Sequence, residues 1–162
     1  QPYGTEALST LRIEMGHVAG SELDGRTTPF DSSLEGLLSK KKDFIGKRSL
    51  QKEAFISPDR EKLVGVVPLD KKTSIPEGSY IVRDANAKLP NPKLGHVSAS
   101  CWSVEYNNPF SLAIIKDGKN MIGQKLFALS PLKNKSIPVE IVSSHYVDPK
   151  GERVRSWQVF LP

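Results

Sequence analysis

The residue with the most specific chemistry in this chain is Glu14. It follows Leu11-Arg12-Ile13, and Met15-Gly16 come directly after it. A helix through this run ends at the glycine, so the carboxylate sits beside the helix's terminal carbonyls. That is the wrong end of the helix dipole for an anion, by roughly 0.3–1 kcal/mol. Glu14 therefore needs a cation or a ligand carrying several N–H groups; a local lysine pair or plain exposure is the bland alternative. A second feature is the basic run Lys40-Lys41-Lys42, placed just before Asp43-Phe44-Ile45-Gly46. Trp102 and Tyr106 flank a polar bend. They could wall a planar ligand or simply cover the end of a β-structure.

Other chemistries find little support. Cys101 is the one cysteine, and His17, His96 and His145 share no local ligand spacing, so no metal site is expected. Gly16-His17-Val18-Ala19-Gly20 follows a helix and opens none, which excludes a phosphate-cradling loop. No nucleophile elbow occurs, and Asp148-Pro149-Lys150-Gly151-Glu152-Arg153 reads first as a turn. The net charge of +5 and pI near 9.3 admit nucleic acid, a membrane surface, a small polyanion or only a solvated basic surface. Aromatic residues make up 7% and none alternate on an expected strand, which argues against stacking on single-stranded nucleic acid. No apolar run approaches the ~20 residues of a membrane span, and the start carries charges where a signal peptide has its apolar core. A reducing cytoplasm fits the single cysteine.

These residues need elements to hold them. The 162 residues suffice for one domain, or a small domain and part of another. Residues 5–15 read as a helix: Leu8, Leu11 and Met15 recur at helical spacing and form the expected inward face, with Thr5 as cap and Gly16 as stop. Residues 17–36 are irregular, and a second short helix is expected within 44–55, with Leu50 and Ala54 inward. After Ser57-Pro58-Asp59 the texture changes to short β-type runs at 63–67, 79–83, 95–101, 111–116, 124–128 and 138–144. Turns fall at Pro76-Glu77-Gly78, Asn91-Pro92, Asp117-Gly118 and Met121-Ile122-Gly123, and residues 84–93 read as a loop. Six such strands predict a small barrel or sandwich. The opening on Gln1 and an immediate helix predict a piece of a longer polypeptide.

A family resemblance sharpens this. The stretch from Pro2-Tyr3-Gly4-Thr5 through Leu11-Arg12-Ile13-Glu14-Met15-Gly16-His17-Val18-Ala19-Gly20 resembles the alpha subunits of heterotetrameric sarcosine oxidases. So do Thr27-Thr28, Lys40-Lys41-Lys42-Asp43-Phe44-Ile45-Gly46, Arg60-Glu61-Lys62-Leu63-Val64-Gly65, Leu94-Gly95-His96-Val97-Ser98-Ala99-Ser100 and Tyr146-Val147-Asp148-Pro149-Lys150-Gly151-Glu152-Arg153. The likeness keeps its order along nearly the whole chain and looks like the C-terminal part of that subunit. That part is similar to the aminomethyltransferase, or glycine-cleavage T-protein, family.

The resemblance implies an α+β fold: residues 1–58 as the helical and irregular end of a folate-binding aminomethyltransferase domain, and residues 59–162 as a C-terminal antiparallel β-barrel. It implies tetrahydrofolate as ligand, with Glu14 gripping the pterin. A pterin edge presents ring and amino N–H donors side by side, a fork that a carboxylate accepts in pairs. Lys42 is the nearest match to the family's basic residue near the folate, where it offers a point charge in place of an arginine's planar fork. The family's catalytic aspartate falls upstream of Gln1, so no residue here takes that role and the piece alone is expected to be inactive. FAD, FMN and NAD, and the beta, gamma and delta subunits, belong to the implied complex, with the cofactors bound mainly elsewhere. No nucleic-acid or membrane partner is implied. A stand-alone aminomethyltransferase of glycine cleavage, or a subunit-docking barrel without catalysis, are the alternatives.

Overall fold

A computed structural model describes residues 2–86 and 92–156. The expected turn at Asn91-Pro92 and the loop at 84–93 lie partly outside them. Helix α1 spans Thr5–Glu14. Irregular chain follows, with 3-10 turns at Glu35–Leu37 and Ser49–Gln51 and a one-turn helix α2 at Glu53–Ile56. The strands are β1 (Glu61–Pro68), β2 (Tyr80–Val82), β3 (Gly95–Ser103), β4 (Asn108–Lys116), β5 (Lys125–Ser130) and β6 (Lys135–Val142), and a short helix α3 (Glu152–Arg155) comes after them.

The six strands close into an antiparallel barrel in the order β1-β4-β3-β2-β5-β6, with β1 pairing to both β4 and β6. Closure removes every free sheet edge. Val64, Val66, Val97, Ala113, Ile115, Ala128, Val139 and Ile141 fill its interior. All six expected strands are present, because alternation and glycine or proline turns specify short strands strongly. A second apolar layer lies outside the barrel. Ile13 of α1 packs there with Leu63, Val67, Ala99, Phe110 and Leu112.

The register of β3 decides which of its residues meet α1. Val97 pairs with Ala113, but Ala99 pairs with Leu112, so Ser98 is the extra residue of a β-bulge. In an unbroken strand positions 97 and 99 share a face. Here Val97 joins the interior and Ala99 the outer layer. The bulge thus turns Ala99, Cys101 and Ser103 toward the helix. The Ser98 hydroxyl donates to the Leu112 carbonyl at 3.2 Å and so holds the displaced residue.

Several local expectations need correction. The inward face of α1 is its last turn, Ile13 and Glu14, whereas Leu8 and Leu11 are 54% and 52% exposed. Helical spacing found a real stripe, but only the helix end rests on β3 and β4. Gly4, not Thr5, occupies the N-cap position, with no side-chain cap. The expected helix within 44–55 is reduced to two short pieces, and Ala54 is exposed. Each piece is too short to sustain itself without a packed face.

Gly65 is where strand and outer layer meet. A Cβ there would lie 2.4 Å from the Ser143 carbonyl oxygen and 2.6 Å from the Phe110 ring. That ring stacks on Tyr146 with centroids 4.2 Å apart and planes at 4°. Gly65→Ala is predicted to destabilise the protein by about 1–3 kcal/mol through overpacking. Urea unfolding checks this; an unchanged midpoint would show that the layer yields freely.

Candidate functional site

Glu14 lies where α1 ends, and the chain is built to end it there. Gly16 adopts φ +68°, and the His17 N–H donates back to the Arg12 carbonyl at 2.8 Å. A Cβ on Gly16 would sit 2.6 Å from the Ser144 carbonyl oxygen, so the helix end presses directly on that backbone. The Glu14 carbonyl accepts from the Tyr146 and Val147 N–H groups at 3.1 and 3.0 Å. These contacts fix the backbone of Glu14 against the segment that follows β6.

Its side chain is 95% buried (5% exposed). The Ser103 hydroxyl donates to Glu14 Oε1 at 2.6 Å. No ion pair reaches Glu14 among the described residues. No buried side-chain oxygen or nitrogen lacks a partner among them either. Among the described residues Ser103 is the one side-chain donor to Glu14, and Oε2 accepts from none of them. Beside it, Tyr146 meets Tyr106 edge-on at 4.6 Å, and Trp102 and Tyr106 are about half exposed. Burial pushes the Cys101 thiol up to about 12, with the Glu14 carboxylate adding to the shift and Arg12 opposing it. That thiol stays protonated and is no nucleophile at neutral pH.

Lys42 is exposed, on the loop before α2, with its N–H donating to Ser39 Oγ at 2.8 Å. No hydrogen bond or ion pair joins it to Glu14. A shallow depression over 43–49 adjoins it. No group of three or more metal-ligating side chains occurs among the described residues, and no helix among them is long and apolar enough to cross a membrane.

Two buried carboxylates escaped the sequence reading. Asp31 accepts from Arg60 Nε at 2.9 Å and Nη2 at 2.5 Å, from the Thr28 N–H and hydroxyl, and from Lys62. Arg60 also donates to the Arg26 and Ala54 carbonyls. Glu22 accepts from the Ala19 N–H at 2.8 Å, the Ser21 hydroxyl at 2.9 Å and Arg12 at 3.2 Å. Burial raises both carboxyls, but hydrogen bonds outweigh it and hold them below their ordinary values. Arg60 and Thr28 do this for Asp31; the Ala19 N–H and the Ser21 hydroxyl, with the charge of Arg12, do it for Glu22. Both line a cleft of about 480 Å³ between the irregular segment and the outer faces of β1, β4 and β3, together with Arg26, Lys93, His96 and Lys116. Its two buried carboxylates are already paired with Arg60 and Arg12, and Glu14 is not part of it. The sequence did hold one signal: Thr28 and Asp31 stand at capping-box spacing. The Arg60 partner, far along the chain, left none.

The chain can now be set beside known proteins. Residues 61–148 match the family model of the glycine cleavage T-protein C-terminal barrel domain. The sarcosine oxidase alpha subunit of Rhizobium meliloti (strain 1021) is 40% identical over 94% of this chain and 16% of its own length. That of Corynebacterium sp. (strain P-1) is 37% identical over the same shares. The aminomethyltransferase of Prochlorococcus marinus (strain NATL1A) is 35% identical over 70% of this chain and 29% of its own length. This chain therefore spans only 16% of the sarcosine oxidase subunits it matches. Among solved structures, the glycine cleavage aminomethyltransferase T from Bartonella henselae superimposes with TM-score 0.66 at 19% identity, over 88% of this chain and 38% of that one. That likeness supports the fold.

The acid network makes a pH prediction. Carboxyls lowered on folding favour the fold above their ordinary values, 3.8 for Asp31 and 4.5 for Glu22. That contribution is lost as pH falls through the lowered values. Stability is predicted to be full at neutral pH and to decline below about pH 4.5. Asp31→Asn should cost about 2–3 kcal/mol at pH 7 and flatten this acid limb, because Arg60 and Lys62 lose their shared anion. Urea midpoints across an acid pH series measure it; an unaltered limb in the variant would remove Asp31 as a cause.

Proposed function

Because the chain belongs to the glycine cleavage T-protein C-terminal barrel family, we propose that it is the tetrahydrofolate-binding part of a sarcosine oxidase alpha subunit. Residues 59–162 are then the C-terminal barrel, and residues 1–58 the end of the folate-binding domain. The family match beginning at residue 61 supports that division. The observation that carries the reading is Glu14: a buried carboxylate at a helix C-terminus, with one hydroxyl donor and, among the described residues, no cation and no donor to its second oxygen. The donor set fits a pterin, whose adjacent ring and amino N–H groups supply what the carboxylate lacks. Lys42 is assigned a weaker role, as a charge near the folate.

Flavin-linked oxidation of N-methylglycine takes place elsewhere in the complex in this reading. Its one-carbon unit, at the oxidation level of formaldehyde, joins the two reacting folate nitrogens to give 5,10-methylenetetrahydrofolate. The reduced flavin passes its two electrons to dioxygen, so glycine and hydrogen peroxide are the other products. Glu14 holds the pterin so that those nitrogens meet the incoming carbon, which is catalysis by positioning. FAD, FMN and NAD bind mainly outside this chain, and the beta, gamma and delta subunits are its partners in a cytoplasmic heterotetramer. A stand-alone aminomethyltransferase is the second reading, favoured by the 35% identity to such an enzyme. The higher identity over more of the chain favours the oxidase.

In the intact complex, Glu14→Gln is predicted to weaken tetrahydrofolate binding about ten- to a hundredfold, as expected for a lost charge-assisted pair. Sarcosine-dependent peroxide production should change much less. Folate titration beside a peroxide assay tests both, and unchanged folate affinity would reduce this region to a docking barrel.

A further inference from the structure

We propose that Ser103 is a positioning residue for the ligand-gripping carboxylate, and that it makes the site selective for a ligand with two adjacent N–H donors; this rests on the folate reading of Glu14. Ser103 is 0% exposed and stands at the end of β3. Its hydroxyl has a single proton, and that proton goes to Glu14 Oε1 at 2.6 Å. The Tyr106 N–H donates to the same hydroxyl oxygen at 3.3 Å, so the oxygen is held on its accepting side while its proton faces Glu14. The carboxylate backbone is clamped independently by the Tyr146 and Val147 N–H groups.

The consequence is a carboxylate with one orientation. Ionised, it offers about four acceptor sites on its two oxygens. Ser103 takes one of those on Oε1, which leaves acceptor sites on both oxygens. A planar fork of neighbouring N–H groups satisfies both at once. A donor–acceptor edge satisfies one and sets an acceptor against the charge. Without the serine the carboxylate loses the one hydrogen bond that fixes its plane, and the match to a rigid fork is less well prepared in advance. Only the bulge at Ser98 puts Ser103 on the helix side of β3.

The test uses the intact protein, titrated with tetrahydrofolate, with thermal melts as a folding control. Ser103→Ala is expected to weaken binding about tenfold, the loss for one hydrogen bond to a charged group. Ser103→Thr keeps the hydroxyl and should stay within about threefold of the parent. In a Glu14→Gln background, Ser103→Ala should add less than about twofold, since there is no longer a carboxylate to orient. An undiminished effect in that background, or wild-type affinity in Ser103→Ala, overturns the proposal while leaving the folate reading intact. Unchanged affinity in Glu14→Gln alone overturns the folate reading as well. If Ser103→Ala fails to fold, Ser103→Cys carries the test: its weak S–H donor should give a several-fold loss, and full affinity would overturn the assignment.

Discussion

One extra residue in β3 governs the functional side of this molecule. The bulge at Ser98 leaves the barrel interior supplied up to Val97 and then hands the next positions to the outer face. Ala99 joins the apolar layer under α1, Cys101 lies close enough to feel the Glu14 charge, and Ser103 reaches the carboxylate itself. A one-residue change of phase flips every side chain beyond it. Without the bulge the barrel would receive a cysteine and a serine in its lumen, and the helix end would rest on the opposite set of side chains. Fold and site therefore share a single constraint.

That constraint explains why the buried carboxylates behave differently. Asp31 and Glu22 are each met by a guanidinium, a backbone N–H and a hydroxyl; Asp31 fastens the irregular segment to the start of β1, and Glu22 fastens it to α1. Glu14 has one neutral donor. Burying an ion costs several kcal/mol even after relaxation, and one hydrogen bond to a charged group returns about 1.5–3 kcal/mol. The helix dipole works against it as well. Of the three, Glu14 is the anion left short of donors, and two more N–H groups would make up most of the deficit.

The sequence carried the barrel well and the site unevenly. Strands such as 63–67 and 111–116 were legible because β-type runs and turn residues are local signals. The α1 boundary was legible because Gly16 marks it. The buried face of α1 was not: Leu8 and Leu11 form the stronger stripe, and only contact with β3 and β4 reveals that Ile13 and Glu14 are inside. Glu14 was visible through its place at a helix end and through the family resemblance. Ser103 was not, since Ser98-Ala99-Ser100 offers no size contrast from which to detect a change of phase. Arg60 and Asp31 stayed hidden because ion pairs distant in sequence leave no spacing to read.

The chemistry of the outer face also limits what this chain can contribute. Burial and the neighbouring carboxylate keep the Cys101 thiol protonated. The thiol is silenced by its buried, negatively charged setting, and the hydroxyl of Ser103 is engaged in orienting the carboxylate. A site cannot both stabilise a thiolate and hold an uncompensated carboxylate a short distance away. The arrangement favours recognition over bond-making. On the folate reading, this chain orients the acceptor, and groups outside it carry the proton and carbon transfers.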